Sequence, residues 1–108
     1  MIETAALKMF AALSQETRLR IVRYLVECGT EGASAGDIGK TVGAISSRAS
    51  FHLAALEQAG IVTSERQSRK IVYRANYEAL GALVSFLLTD CCGRHPLVVA
   101  CCDLGECC

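Results

Sequence analysis

The stretch Ala35-Gly36-Asp37-Ile38-Gly39-Lys40-Thr41-Val42-Gly43-Ala44-Ile45-Ser46-Ser47-Arg48-Ala49-Ser50-Phe51-His52-Leu53-Ala54-Ala55-Leu56-Glu57-Gln58-Ala59-Gly60 decides the fold. Ser34 precedes it as a cap for a short helix over residues 35–42, with Ile38 and Val42 on one face. Gly36 and Gly39 weaken that helix, each by about 1 kcal/mol against Ala. Gly43 is a turn signal. Ser46 or Ser47 then caps a longer helix running to residue 59, with Ala49, Leu53 and Leu56 inward and Phe51 read as core. Gly60 ends it. Residues 61–66 and 70–75 alternate in polarity around Gln67, Ser68 and Arg69, a β-hairpin pattern. Short helix, glycine turn, longer helix and hairpin, in that order, make a winged helix-turn-helix.

Working outward, Ala5, Leu7, Met9, Phe10 and Leu13 mark a first helix over 5–13. Ser14 is the expected N-cap of a second over 15–27, with Leu19, Val22 and Val26 on one stripe and Ile21 and Leu25 beside it. Glu16 stands one turn before Arg20, a helix pair worth a few tenths of a kcal/mol. On the other side, Asn76 caps a fifth helix reaching Cys92, with Gly93 as its stop and Pro96 preventing continuation. That helix carries Leu80, Leu83, Val84, Phe86, Leu87 and Leu88 nearly all round. A helix apolar all round must be buried, and a second copy of the chain is the simplest cover. The expected fold is mainly α with a small β-hairpin wing, homodimeric, with a DNA-binding and dimerisation domain over 1–92 and a Cys-rich tail over 93–108.

The 108 residues fit one domain. A chain this short buries only roughly 60–70% of its unfolded surface, so self-association would help it. Aromatics are 6% against 52% hydrophobic residues, so the core must be aliphatic. The longest apolar run, 80–88, falls far short of the about 20 residues that a bilayer span needs. Met1-Ile2-Glu3-Thr4 lacks the basic start of a secretory signal, which makes the cytoplasm the expected compartment. There, seven cysteines read as metal ligands or reactive thiols rather than disulfides. No Asp, Glu and His set with catalytic spacing appears and no phosphate-cradling loop, which argues against an enzyme and against an organic cofactor.

Eleven basic residues balance eleven acidic ones. Zero net charge counts against a nucleic-acid binder, but Arg48, Arg66, Arg69, Lys70 and Arg74 gather in and after the helix-turn-helix, against Glu57 and Glu65. The second helix of such a unit enters the major groove by its N-terminal residues. Here these are Ser46, Ser47, Arg48 and Ser50, with His52 one turn on. Hydroxyls reach phosphates or base edges, and Arg48 can fork onto guanine. Arg66, Arg69 and Lys70 at the hairpin tip suit the backbone or the minor groove. The plainer alternatives are that Ser46 and Ser47 only cap the helix, that Arg48 is a solvated charge, and that His52 caps a neighbour or packs at the domain surface.

The runs Ala12-Leu13-Ser14-Gln15-Glu16-Thr17-Arg18-Leu19-Arg20-Ile21, Ser50-Phe51-His52-Leu53-Ala54-Ala55-Leu56-Glu57-Gln58-Ala59-Gly60-Ile61-Val62 and Tyr73-Arg74-Ala75 resemble the ArsR/SmtB family of metalloregulatory repressors. The resemblance implies a homodimer joined through its first and last helices, seated on an inverted-repeat operator in double-stranded DNA. It implies release when a thiophilic metal or metalloid binds. The chain departs from the family at two places. The Cys-x-Cys that many members carry in the third helix is replaced by Ser34 and Gly36. The wing tip often has Gly where Ser68 stands, so this tip is expected to take another shape, since a left-handed non-Gly residue costs roughly 1–2 kcal/mol.

Six of the seven cysteines form three adjacent pairs: Cys91-Cys92, Cys101-Cys102 and Cys107-Cys108. Clustered thiols suit soft metals. Adjacent pairs suit zinc poorly, because structural zinc sites space their ligands by two to four residues. Pyramidal As(III) or Sb(III), which takes three sulfurs, is less demanding. Cys91 and Cys92 close the last helix, and residues 93–100 can loop back to bring Cys101 or Cys102. Arsenic-responsive relatives without the third-helix site resemble this arrangement. The expected function is thus a repressor released by As(III). Alternatives are a repressor sensing thiol oxidation, organoarsenicals, Cd or Pb, and a thiol-rich metal-binding protein whose winged helix contacts proteins. Cys91 and Cys92 also admit readings as buried small residues or a redox pair. Cys107 and Cys108 read as a scavenging end, Cys28 as core or idle, and His95 as a solvated loop residue.

Overall fold

The computed structural model describes residues 1–104, with side chains through Cys101. Helix α1 spans Glu3–Leu13 and stops at Ser14, whose amide and hydroxyl both bond the Ala11 carbonyl. Ser14 therefore closes α1 instead of opening the next helix. The cap of α2, Glu16–Cys28, is Gln15, whose side-chain oxygen accepts from the Arg18 amide at 2.9 Å. Arg20 does pair with Glu16, at 2.6 Å on an exposed face. The buried stripe of α2 is Ile21, Val22 and Leu25, while Leu19 and Val26 stay in solvent. The helix is wedged against α1, α3, α4 and β3 at once, and that contact rotates the expected stripe by one position.

A 3₁₀ turn at Gly29–Glu31 leads into β1, Ala33–Ser34, which pairs antiparallel with β3. Two residues carry no alternation, so the sequence did not announce this strand. Ser34 then caps α3, Ala35–Val42, accepting from the Asp37 amide at 3.2 Å. Gly43 turns the chain with φ +74°, a left-handed conformation open to Gly at little cost. Gly39 serves a different need: a Cβ there would lie 2.7 Å from the Ala44 carbonyl oxygen, so its lack of side chain lets α3 approach the turn.

Helix α4 covers Ser46–Gln58. Its N-cap residue is Ile45, without a side-chain hydrogen bond, so neither Ser46 nor Ser47 caps it. Ala49, Leu53 and Leu56 are fully buried as expected, but Phe51 is 66% exposed and is not core. Strands β2, Val62–Gln67, and β3, Lys70–Ala75, form the wing, with Gln67 opposite Lys70, in a sheet of order β1-β3-β2. Ser68 takes φ +56°. The tip thus keeps a tight two-residue turn and Ser68 accepts the left-handed position, contrary to the expected change of shape. Ile21, Leu25, Ile38, Leu53, Leu56 and Ile61 are wholly buried and make an aliphatic core. Each stabilises the fold by about 1.5–3 kcal/mol relative to an exposed side chain.

Asn76 opens α5, Tyr77–Phe86, accepting from the Ala79 amide at 3.1 Å and donating to the Gly60 carbonyl at 3.0 Å. The helix then widens into a π-helical segment, Leu87–Cys91, where the Cys92 amide reaches the Leu87 carbonyl at 3.0 Å. Leu83 alone on α5 is buried, whereas Val84 and Leu87 are 53% and 38% exposed. Beyond the turn at Gly93 and Arg94, both with positive φ, the expected loop is a sixth helix, α6, Pro96–Leu104. Pro96 starts this helix, because a first-turn residue needs no amide donor. His95 is exposed, and its Nδ1 accepts from the Leu97 amide at 3.2 Å. Among the described residues no helix is long and apolar enough to cross a membrane.

Candidate nucleic-acid interface and thiol pair

The turn at Gly43 and the packing of Ala49, Leu53 and Leu56 decide which face of α4 looks outward. Ser46, Ser47, Arg48, Ser50, Phe51 and Ala54 are all exposed. Freed from capping, the hydroxyls of Ser46 and Ser47 are available to a ligand. Of the readings open for His52, DNA contact or packing within the domain, the structure places it in the second. It is 8% exposed, and its Nδ1 accepts from Arg18 Nε at 3.2 Å. Arg can only donate, so the ring is neutral with its proton on Nε2. Burial, with the Arg18 and Arg48 charges adding to it, holds the imidazole below its ordinary pKa. His52 therefore locks α4 to α2, which sequence reasoning missed because Arg18 lies 34 residues away.

The wing presents Arg66, Arg69 and Lys70 to solvent. Arg74 is committed elsewhere, to Glu65 at 2.8 Å and to the Thr30 carbonyl at 2.7 Å. Hydrogen bonds from Gln67 and then Arg74 hold the Glu65 carboxyl below its usual range. Glu57 accepts from the Ser64 hydroxyl at 2.6 Å. The two acids expected to dilute the basic cluster are thus tied within the wing and its junction with α4. Lys8 and Arg18 add positive charge at a shallow depression between α1, α2 and α4.

Cys91 and Cys92 stand side by side in the chain at the end of the π-helical segment. Cys91 is exposed and Cys92 half-buried. The hydrogen bond from its neighbour, then burial, then repulsion from the Cys91 thiolate push the Cys92 thiol up. Cys91 also borders a groove of about 600 Å³ between α1 and the end of α5, lined by Met1, Leu7, Phe10, Phe86 and Asp90. Cys28 is half-buried and packs against the core. Cys101 is disulfide-bonded. Among the described residues no three His, Cys, Asp or Glu side chains converge on a metal-sized point. The side chain of Cys102, and Cys107 and Cys108 altogether, lie outside the described residues.

A helix-turn-helix with an exposed, hydroxyl- and arginine-bearing second helix and a basic wing defines a winged helix-turn-helix DNA-binding regulator. A helix-turn-helix domain family matches residues 13–65. The HTH-type transcriptional regulator YgaV of Escherichia coli K12 is 32% identical over 87 residues, covering 81% of this chain and 86% of that protein. An ArsR-like transcriptional regulator from Rhodococcus sp. RHA1 superposes with a TM-score of 0.72 at 28% identity, over 94% of this chain and 92% of its own. A homodimeric winged helix-turn-helix domain from Mycobacterium bovis, a possible ArsR-family regulator, gives 0.66 at 25% identity, over 85% of each chain. The chain belongs to the ArsR/SmtB family of winged helix-turn-helix transcriptional regulators. These relatives are transcriptional regulators, not enzymes.

Proposed function

We propose that the chain is a homodimeric cytoplasmic repressor that leaves its operator when trivalent arsenic binds its C-terminal thiols. The observation that carries this reading is the vicinal pair of free cysteines, exposed Cys91 and half-buried Cys92, at the end of the π-helical segment. Two vicinal free thiols suit a soft, pyramidal As(III) or Sb(III) centre, and Cys101 or Cys102 supplies the third. Cys101 offers a thiolate only after reduction, so the response belongs to reducing conditions. Ser46, Ser47, Arg48 and Ser50 contact the major groove, and Arg66, Arg69 and Lys70 the flanking backbone or minor groove. The exposed flanks of α1 and α5, with Leu7, Val84 and Leu87, form the dimer face, as the homodimeric relative supports. The thiol pair borders that face, so its closure changes the angle between the two copies of α4. A tenfold to thousandfold release needs roughly 1.4–4 kcal/mol of coupling.

The test is a shift assay on the chain's own upstream DNA, in reductant, with and without arsenite. The wild type binds and is released. Cys91→Ser with Cys92→Ser keeps binding and loses release, as does Cys101→Ser with Cys102→Ser. Release of the Cys91→Ser, Cys92→Ser variant at the wild-type arsenite concentration would overturn the sensor. Release by peroxide alone, reversed by dithiol, would move the signal to thiol oxidation, a reading that the Cys101 disulfide favours.

A further inference from the structure

The largest apolar side chain on the outward face of α4 is Phe51. It is 66% exposed on a helix whose other exposed side chains near it are Ser47, Arg48, Ser50 and Ala54. A bare aromatic ring in water is costly by the area it exposes, and here it stands where a groove-reading helix presents its side chains. Its ring meets the His52 imidazole edge-on, with centroids 5.7 Å apart and planes 70° apart. His52 is itself held by Arg18 at 3.2 Å. The ring is thus braced from behind by a buried imidazole and a hydrogen bond from another helix. Ser47 and Ser50, one turn and one residue before it, are small and hydroxylated, and Ala54 is small. The face is a single apolar knob amid short side chains, flanked by Arg48.

We propose that Phe51 is a specificity-determining residue that packs on the 5-methyl group of a thymine in the major groove. This rests on the DNA-binding reading of α4. The major-groove edge offers one apolar group among the four bases, the thymine methyl, and aromatic and small side chains recognise it by contact. A phosphate or a guanine edge has nothing for an uncharged ring to pair with. The short neighbours let the backbone of α4 approach closely enough for the ring to reach the base edge. Arg18 and His52 act through Phe51 as positioning residues.

The experiment selects duplexes from a random library with the wild-type protein, then replaces each thymine of the selected site in turn by deoxyuridine, which lacks only the methyl. At one thymine per half-site the wild type loses about fourfold in affinity, the effect of uncovering one methyl-sized group. Phe51→Ala binds the parent site more weakly and is indifferent to that same replacement, while its affinity for random duplex matches the wild type. Phe51→Ala unfolds at the wild-type temperature, because the side chain is exposed. His52→Gln retains part of the sensitivity, as a brace rather than a contact would. If wild type and Phe51→Ala respond alike to deoxyuridine at every position, Phe51 reads no methyl and the proposal fails. If the wild type selects no duplex at all, the DNA-binding reading of α4 falls, a failure distinct from the first.

Discussion

At the scale of single residues, the pair Arg18–His52 shows how a polar side chain comes to be structural. Burial, and then the charges of Arg18 and Arg48, hold the His52 pKa below its ordinary value, and Arg18 donates to the neutral ring. The unfolded chain then takes up a proton at His52 before the folded chain does. Stability therefore falls as pH drops from about 6.5 toward the depressed folded value, and levels off below it. The expected outcome is a denaturation midpoint that declines over that window in the wild type and is flatter in His52→Gln, measured at fixed ionic strength. Arg48 is different: it is exposed, and its charge is only the smallest of the three causes that act on His52. Arg48→Ala should weaken operator binding by about 1–3 kcal/mol, if it meets a base edge, and leave thermal unfolding unchanged. Operator titration beside a melting curve separates the two effects.

At the scale of elements, the approach of α3 to the turn before α4 depends on one missing side chain. Gly39→Ala sets a Cβ 2.7 Å from the Ala44 carbonyl, a contact with backbone that cannot swing aside. The turn must shift, at about 1–3 kcal/mol, despite the better helix propensity of Ala. Urea unfolding should show the loss, and operator affinity should fall with it because α4 is displaced. Asn76 is a second junction, joining the start of α5 to the end of α4 through the Gly60 carbonyl. Asn76→Ala removes a cap and that tie, and should destabilise by about 1–2 kcal/mol.

At the scale of the molecule, the radius of gyration is 15.0 Å, larger than the about 13 Å of a compact domain of this length. Leu7 on α1, Val84 on α5 and Leu97 on α6 stand exposed, apolar surface that the proposed second copy would cover. Leu83 and Leu87 both lie beyond the wing yet should respond oppositely. Leu83 is 5% exposed, so Leu83→Glu buries a charge and should unfold the protomer. Leu87 is 38% exposed, so Leu87→Glu should give a folded monomer with weak operator binding. Sedimentation with circular dichroism distinguishes the two, and a wild-type monomer at micromolar concentration would contradict the dimer.

Local chemistry determined much of this protein from the sequence alone. The helix-turn-helix order, the Asn76 and Ser34 caps, the hairpin, the aliphatic core at Ile38, Leu53 and Leu56, and the family likeness all rest on residues close to one another in the chain. Periodicity and capping are short-range, and a linear reading captures them. Tertiary structure decided what depends on contacts between distant segments. It rotated the buried stripe of α2 and drew β1 to β3. It turned His52 inward onto Arg18 and left Phe51 outside, although both sit in one helical turn of mixed polarity. Each of those outcomes depends on which neighbour arrives across the fold, and the free energy of that arrival is not written in any local stretch.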